Sequence, residues 1–99
     1  MKIIHEMLEA LEDELEGAEE YSEKFIENKA RNNMTRANKF KEMAMDEMKH
    51  FSYLHEMFVQ DIDEIKRVYT MTETEAEAWE HGHKHLLEKM AMVKGMLNY

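Results

Sequence analysis

Apolar residues recur along the first third of the chain at Ile4, Met7, Leu8, Leu11, Leu15, Ala18, Tyr21 and Phe25. Steps of three and four place them on one stripe, so the spacing predicts a first helix over about residues 3–30. Asn32, Asn33, Met34 and Thr35 break the stripe with turn and cap chemistry. A second stripe, Phe40, Met43, Phe51, Leu54, Met57, Phe58, Ile65 and Val68, meets no breaker before Tyr69. It predicts a second helix over about residues 35–69, about 52 Å long at 1.5 Å per residue. Thr70, Met71 and Thr72 interrupt the pattern, and Thr72 with Glu75 reads as a capping box. That box opens a third helix over about residues 72–98, whose stripe is Ala76, Trp79, His83, Leu86, Leu87, Met90, Val93 and Leu97. The pattern as a whole predicts an all-α single domain over residues 1–99. Its three helices run up-down-up, the first two forming a long antiparallel hairpin.

Composition agrees: 99 residues hold no proline, three glycines and 35% charged side chains, which suits long helices better than a sheet. A chain this short builds only a modest core, so a homo-oligomer is expected. With no cysteine there are no disulfides, thiolate metal sites or thiol nucleophiles, and the cytoplasm is the expected location. Acidic residues every few positions from Met1 to Leu15 exclude a secretory apolar segment, and no apolar run approaches the roughly 20 residues of a membrane span. A formal charge of -9 repels nucleic acid and concentrates cations. Only between Asn28 and Lys41 does the sign reverse, with Lys29, Arg31, Arg36, Lys39 and Lys41. These are read as complementing the negative end of the first helix, in preference to an anion site.

At 100° per residue, Glu9, Glu12, Asp13, Glu16, Glu19, Glu20, Glu23 and Glu27 fall opposite the first apolar stripe, whereas Glu14 falls within it. On the second helix Glu47, His50 and Asp61 share the apolar side, while Glu42, Asp46, Lys49, Glu56, Asp63, Lys66 and Arg67 face away. A buried carboxylate costs several kcal/mol unless compensated, so each inward residue needs a partner. A hairpin turning near Asn33 sets Glu14 opposite about position 52, within roughly one turn of His50. Carboxylates with a neutral imidazole suit iron, manganese or zinc. The plainer reading is an acid–histidine hydrogen bond, which leaves a second carboxylate uncompensated. Glu80 and His83 repeat the Glu-x-x-His spacing, but His83 is expected near position 59, close to Asp61. A buried Asp61–His83 hydrogen bond is favoured there over an accessory metal site formed by the same two residues. His81 and His85, four apart on the outer face of the third helix, form either a surface chelate or an incidental pair. Most of the 11 methionines read as core filler, whereas Met45, Met92 and Met96 lie outside the stripes and are expected at subunit contacts.

Residues 11–58 resemble the ferritin-like superfamily, most closely bacterioferritin-type and encapsulated-ferritin-type sequences. In LEDELEGAEEY the resemblance matches Glu14 to the metal-binding glutamate of the family's first helix and Tyr21 to a tyrosine seven residues later. In EMAMDEMKHFSYL it matches Glu47 and His50 to the bridging glutamate and the histidine, and the 33-residue interval between the two glutamates is typical of the family. A full ferritin-like chain carries these helices twice and this one carries them once, which is half a site. The resemblance therefore implies a homodimer whose paired hairpins form a four-helix bundle with a C-terminal helix added. It implies a shared di-iron ferroxidase centre of Glu14, Glu47 and His50, oxidising Fe(II) to Fe(III) in iron storage or detoxification. Tyr21 would be a hydrogen bonder or redox partner behind the ligands, and manganese or zinc the other occupants. It further implies a ring of such dimers inside an encapsulin nanocompartment, although no shell-targeting peptide is evident in the closing MLNY. Two alternatives remain: a structural helical dimer or adaptor whose inward polar residues fix register, and a peroxide-reducing rubrerythrin-like or manganese enzyme with the same ligands.

Overall fold

The computed structural model describes residues 1–98 and contains three helices: α1 (Lys2–Ala30), α2 (Met34–Val68) and α3 (Glu73–Leu97). All three expected helices form, within about two residues of the expected bounds. They assemble into a rod of 55 × 18 × 18 Å. Among the described residues no helix is long and apolar enough to cross a membrane.

The turn between α1 and α2 takes three residues, because asparagine chemistry closes one helix and opens the next. Asn32 adopts φ 60°, its N–H donates to the Lys29 carbonyl at 3.0 Å, and the Asn33 N–H donates to the Asn28 carbonyl at 2.9 Å. This is the Schellman closure, with asparagine in the left-handed position usually held by glycine. Asn33 then caps α2, its side chain accepting the Arg36 N–H at 3.2 Å. A turn so short returns the chain antiparallel in one register.

α1 buries Ile4, Met7, Leu11, Leu15, Ala18 and Phe25, as its stripe predicts. Ser22 and Asn28 are buried with them and stay satisfied within the helix, donating to the Ala18 and Lys24 carbonyls at 2.7 Å each. α2 departs from expectation. Its buried residues are Ala37, Ala44, Met48, Phe51 and Ile62, whereas the expected core residues Met43, Met57 and Val68 are 40%, 55% and 87% exposed. The apolar arc of α2 is wider than α1 alone can cover, and small Ala37 and Ala44 draw α1 toward their edge of it. Periodicity located the arc but not its centre.

α3 lies mainly against α1, burying Trp79, Leu86, Met90, Val93 and Leu97, while Leu87 points outward. Gly82 makes that approach close: a Cβ there would sit 2.7 Å from Leu8 Cδ1. Glu19, expected on the outer face, is half-buried beneath α3 and meets Lys89 Nζ at 3.4 Å. Met45 and Met92 are exposed and Met96 is half-buried.

The capping box of α3 forms as read. Thr72 Oγ1 accepts the Glu75 N–H at 3.1 Å, and the Thr72 N–H donates to Glu75 Oε1 at 2.9 Å. That backbone donor, joined by the Met1 amine 3.1 Å from Oε2, holds the Glu75 carboxyl at about 2. A depressed carboxyl pKa stabilises the fold fully above the ordinary 4.5 and loses that contribution as pH falls toward 2. Thr72→Ala should lower stability by about 1 kcal/mol and Tm by about 4–8 °C at neutral pH. Thermal melts at pH 6 and pH 3 should show a smaller acid loss in Glu75→Gln than in the wild type; an equal loss refutes the assignment.

Candidate metal centre

Glu47 and His50 are one turn apart on α2, so both side chains leave the same face. The short asparagine turn brings Glu14 of α1 to their level. His50 Nδ1 lies 3.6 Å from Glu14 Oε2, and one ligand atom from each of Glu14, Glu47 and His50 falls within 4.8 Å of the others. Among the described residues this is the single group of three or more side chains that could hold a metal. The expected trio is thus brought together, but at the surface of the hairpin rather than deep inside: the Glu14 and His50 side chains are 27% and 56% exposed.

Around the trio the hairpin is open. Ile3, Ala10, Glu14, Gly17 and Tyr21 share about 60° of arc on α1, and Met43, Glu47, His50, Leu54 and Met57 share about 80° on α2. Glu14 and Leu8 are about 120° apart around α1, so α3 sits on a different flank. Ile3, Met43 and Met57 are 40% or more exposed, which makes this side an unpaired apolar face with three ligand-type residues in its middle.

The electrostatics of the trio are unbalanced. The Glu47 carboxyl is raised above its ordinary value, chiefly by its hydrogen bond with Glu14, then by burial and by the Glu14 charge; His50 opposes the rise. The Glu47 carboxyl therefore keeps its proton to higher pH than a free carboxyl does, with a single imidazole beside it. A cation would replace that proton. Oxygen donors with one nitrogen donor fit iron, manganese or zinc, so this donor set suits the metals expected of it.

Tyr21 lies on the same side of α1 as Glu14, two turns further along, and its ring rests on Phe40 with centroids 6.3 Å apart. The Asp61–His83 pair does not form. His83 Nδ1 meets His55 Nε2 at 3.1 Å, and its Nε2 lies 3.6 Å from Glu80 Oε2, so both nitrogens are engaged away from the half-buried Asp61. The expected level was one turn off because Tyr69 and Thr72 are both extended. Extended residues advance further than helical ones, and His83 sits beside position 55 instead of 59. Trp79 stacks on His83 at 4.8 Å, and the His55 pKa is lowered by burial and by the charge on His83. His81 and His85 are exposed and belong to no three-ligand group among the described residues.

His55 and Gly17 lie outside the residues expected at the site. His55 had a legible signal, lying seven residues from Met48 and from Ile62 on the true inner arc of α2. Gly17, a glycine inside a strongly helical pattern, carried the signal of a close approach. No protein family, curated protein or solved structure matches the chain.

A raised carboxyl pKa opposes folding at high pH: its cost is absent below the ordinary value and complete above the folded one. With chelator present, the melting temperature of wild type relative to Glu47→Gln should therefore fall as pH rises from 4.5 to 8. A flat difference refutes the raised Glu47 carboxyl.

Proposed function

We propose that two copies of this chain pair through the open α1/α2 face into a ferritin-like four-helix bundle that oxidises Fe(II). The observation that carries this reading is the convergence of Glu14, Glu47 and His50 on an uncovered apolar face. One hairpin offers two carboxylates and one imidazole. A two-fold axis through the face doubles the set to four carboxylates and two imidazoles, the number a carboxylate-bridged di-metal site uses. Pairing also buries Ile3, Met43, Leu54 and Met57 at about 25 cal/mol per Å² of apolar area.

In this reading Fe(II) is the substrate. Two Fe(II) ions each give up one electron; one O2 takes both electrons with two protons and leaves as H2O2, and two Fe(III) ions remain. Glu14, Glu47 and His50 would hold the ions, the two carboxylates favouring the higher charge by supplying anionic oxygens and His50 supplying the nitrogen donor. Tyr21, two turns along α1 from Glu14 and packed on Phe40, would serve the ligands as a hydrogen bonder or redox partner. The net charge of -9 draws Fe(II) toward the protein.

Anaerobic Fe(II) at about 100 times its dissociation constant should raise stability by about 2.7 kcal/mol and the melting temperature by about 10 °C or more. Sedimentation should show a dimer with Fe(II), and admission of air should yield Fe(III) at a rate above the protein-free control. Glu47→Ala and His50→Ala should each lose the thermal shift and the oxidation. A monomer that neither gains stability with Fe(II) nor oxidises it would leave a purely structural helical protein.

A further inference from the structure

We propose that Gly17 is a positioning residue of the metal centre, its bare backbone forming the seat that holds the Glu47 carboxylate beside Glu14 and His50. This inference rests on the reading of those three residues as metal ligands. Gly17 lies in the middle of α1, one turn beyond Glu14, where helix propensity favours almost any other residue. Backbone freedom does not account for it, since no described glycine has a positive φ.

The neighbouring atoms do account for it. A Cβ built on Gly17 would lie 3.0 Å from Glu47 Oε2, 3.2 Å from Cδ and 3.4 Å from Cγ. All three belong to one side chain, which crosses α1 at the glycine and rests its carboxylate there. The other two glycines differ: at Gly82 a Cβ would strike both Leu8 methyls in an apolar seam, and at Gly95 it would meet nothing within 4 Å. Gly17 alone makes room for a residue of the candidate centre.

An alanine at this position gives the two helices little reason to move, because the atoms in its way are the far end of a flexible side chain. The carboxylate would give way instead, by a few tenths of an ångström. Metal–ligand distances tolerate about 0.2 Å. The same substitution that suits the helix should therefore spoil the site, separating stability from binding.

Co(II) is an air-stable probe whose visible absorption reports ligand geometry. In the full chain, Gly17→Ala should keep its helicity and association state and melt about 2–8 °C higher without metal. It should bind Co(II) about 10- to 100-fold more weakly, with altered absorption bands. Glu47→Asp shortens the ligand by one methylene, so Gly17→Ala combined with Glu47→Asp should bind Co(II) better than the product of the two single losses. Wild type that binds no Co(II) refutes the metal centre and this proposal with it. Wild type that binds while Gly17→Ala binds equally, with the same spectrum, overturns the role of Gly17 and leaves the centre standing. A variant that loses metal-free stability or dissociates marks Gly17 as a packing residue, which also overturns it.

Discussion

The register of α1 against α2 is the constraint on which everything else depends, and three residues set it. With Asn32 in the left-handed conformation and Asn33 serving two helices at once, the hairpin has little freedom to slip by a residue. A one-residue slip would move Glu14 by about 100° relative to its neighbours on α2 or by 1.5 Å along them. The meeting of Glu14 with Glu47 and His50 is thus decided some 15 residues away, by backbone hydrogen bonds that involve no ligand.

α2 contributes the second element of the design, an apolar arc wider than one neighbour. Its inner edge buries Ala37, Ala44, Met48, Phe51 and Ile62, while its outer edge carries Met43, Leu54 and Met57 with the polar residues between them. Methionine suits such an edge, being apolar yet flexible enough to repack against a partner. The metal-type cluster therefore sits on a boundary. The contact between the two carboxylates raises the Glu47 carboxyl, with partial burial adding to it, and the exposed His50 leaves the cluster open to solvent.

Helices, their order and the first turn were legible in the sequence because they follow from local rules: period, caps and breakers. The trio was legible because face and level are both arithmetic on a straight helix. What was hidden depended on a third body. Glu19 reads as solvated until α3 covers it, and Met43, Met57 and Val68 read as core until the hairpin proves to be covered on one flank only. His83 meets His55 and not Asp61 because the extended Tyr69 and Thr72 advance about twice as far as helical residues, which a level count at helical rise leaves out. Gly17 was legible only as an oddity, since its reason is a side chain 30 residues away in sequence.

The placement of α3 has a consequence for how such a chain can aggregate or refrain from it. By lying along the Leu8 and Glu19 flank, with Gly82 drawn tight against α1, it removes one of the two sides a bare helical hairpin would offer. A hairpin sticky on both flanks can add neighbours without end, as open fibres do. A hairpin sticky on one self-complementary flank is satisfied by a single neighbour, and the growth closes at two. Under the proposed pairing α3 acts as a stopper, and the 25 residues it occupies would limit valency as well as extend the core.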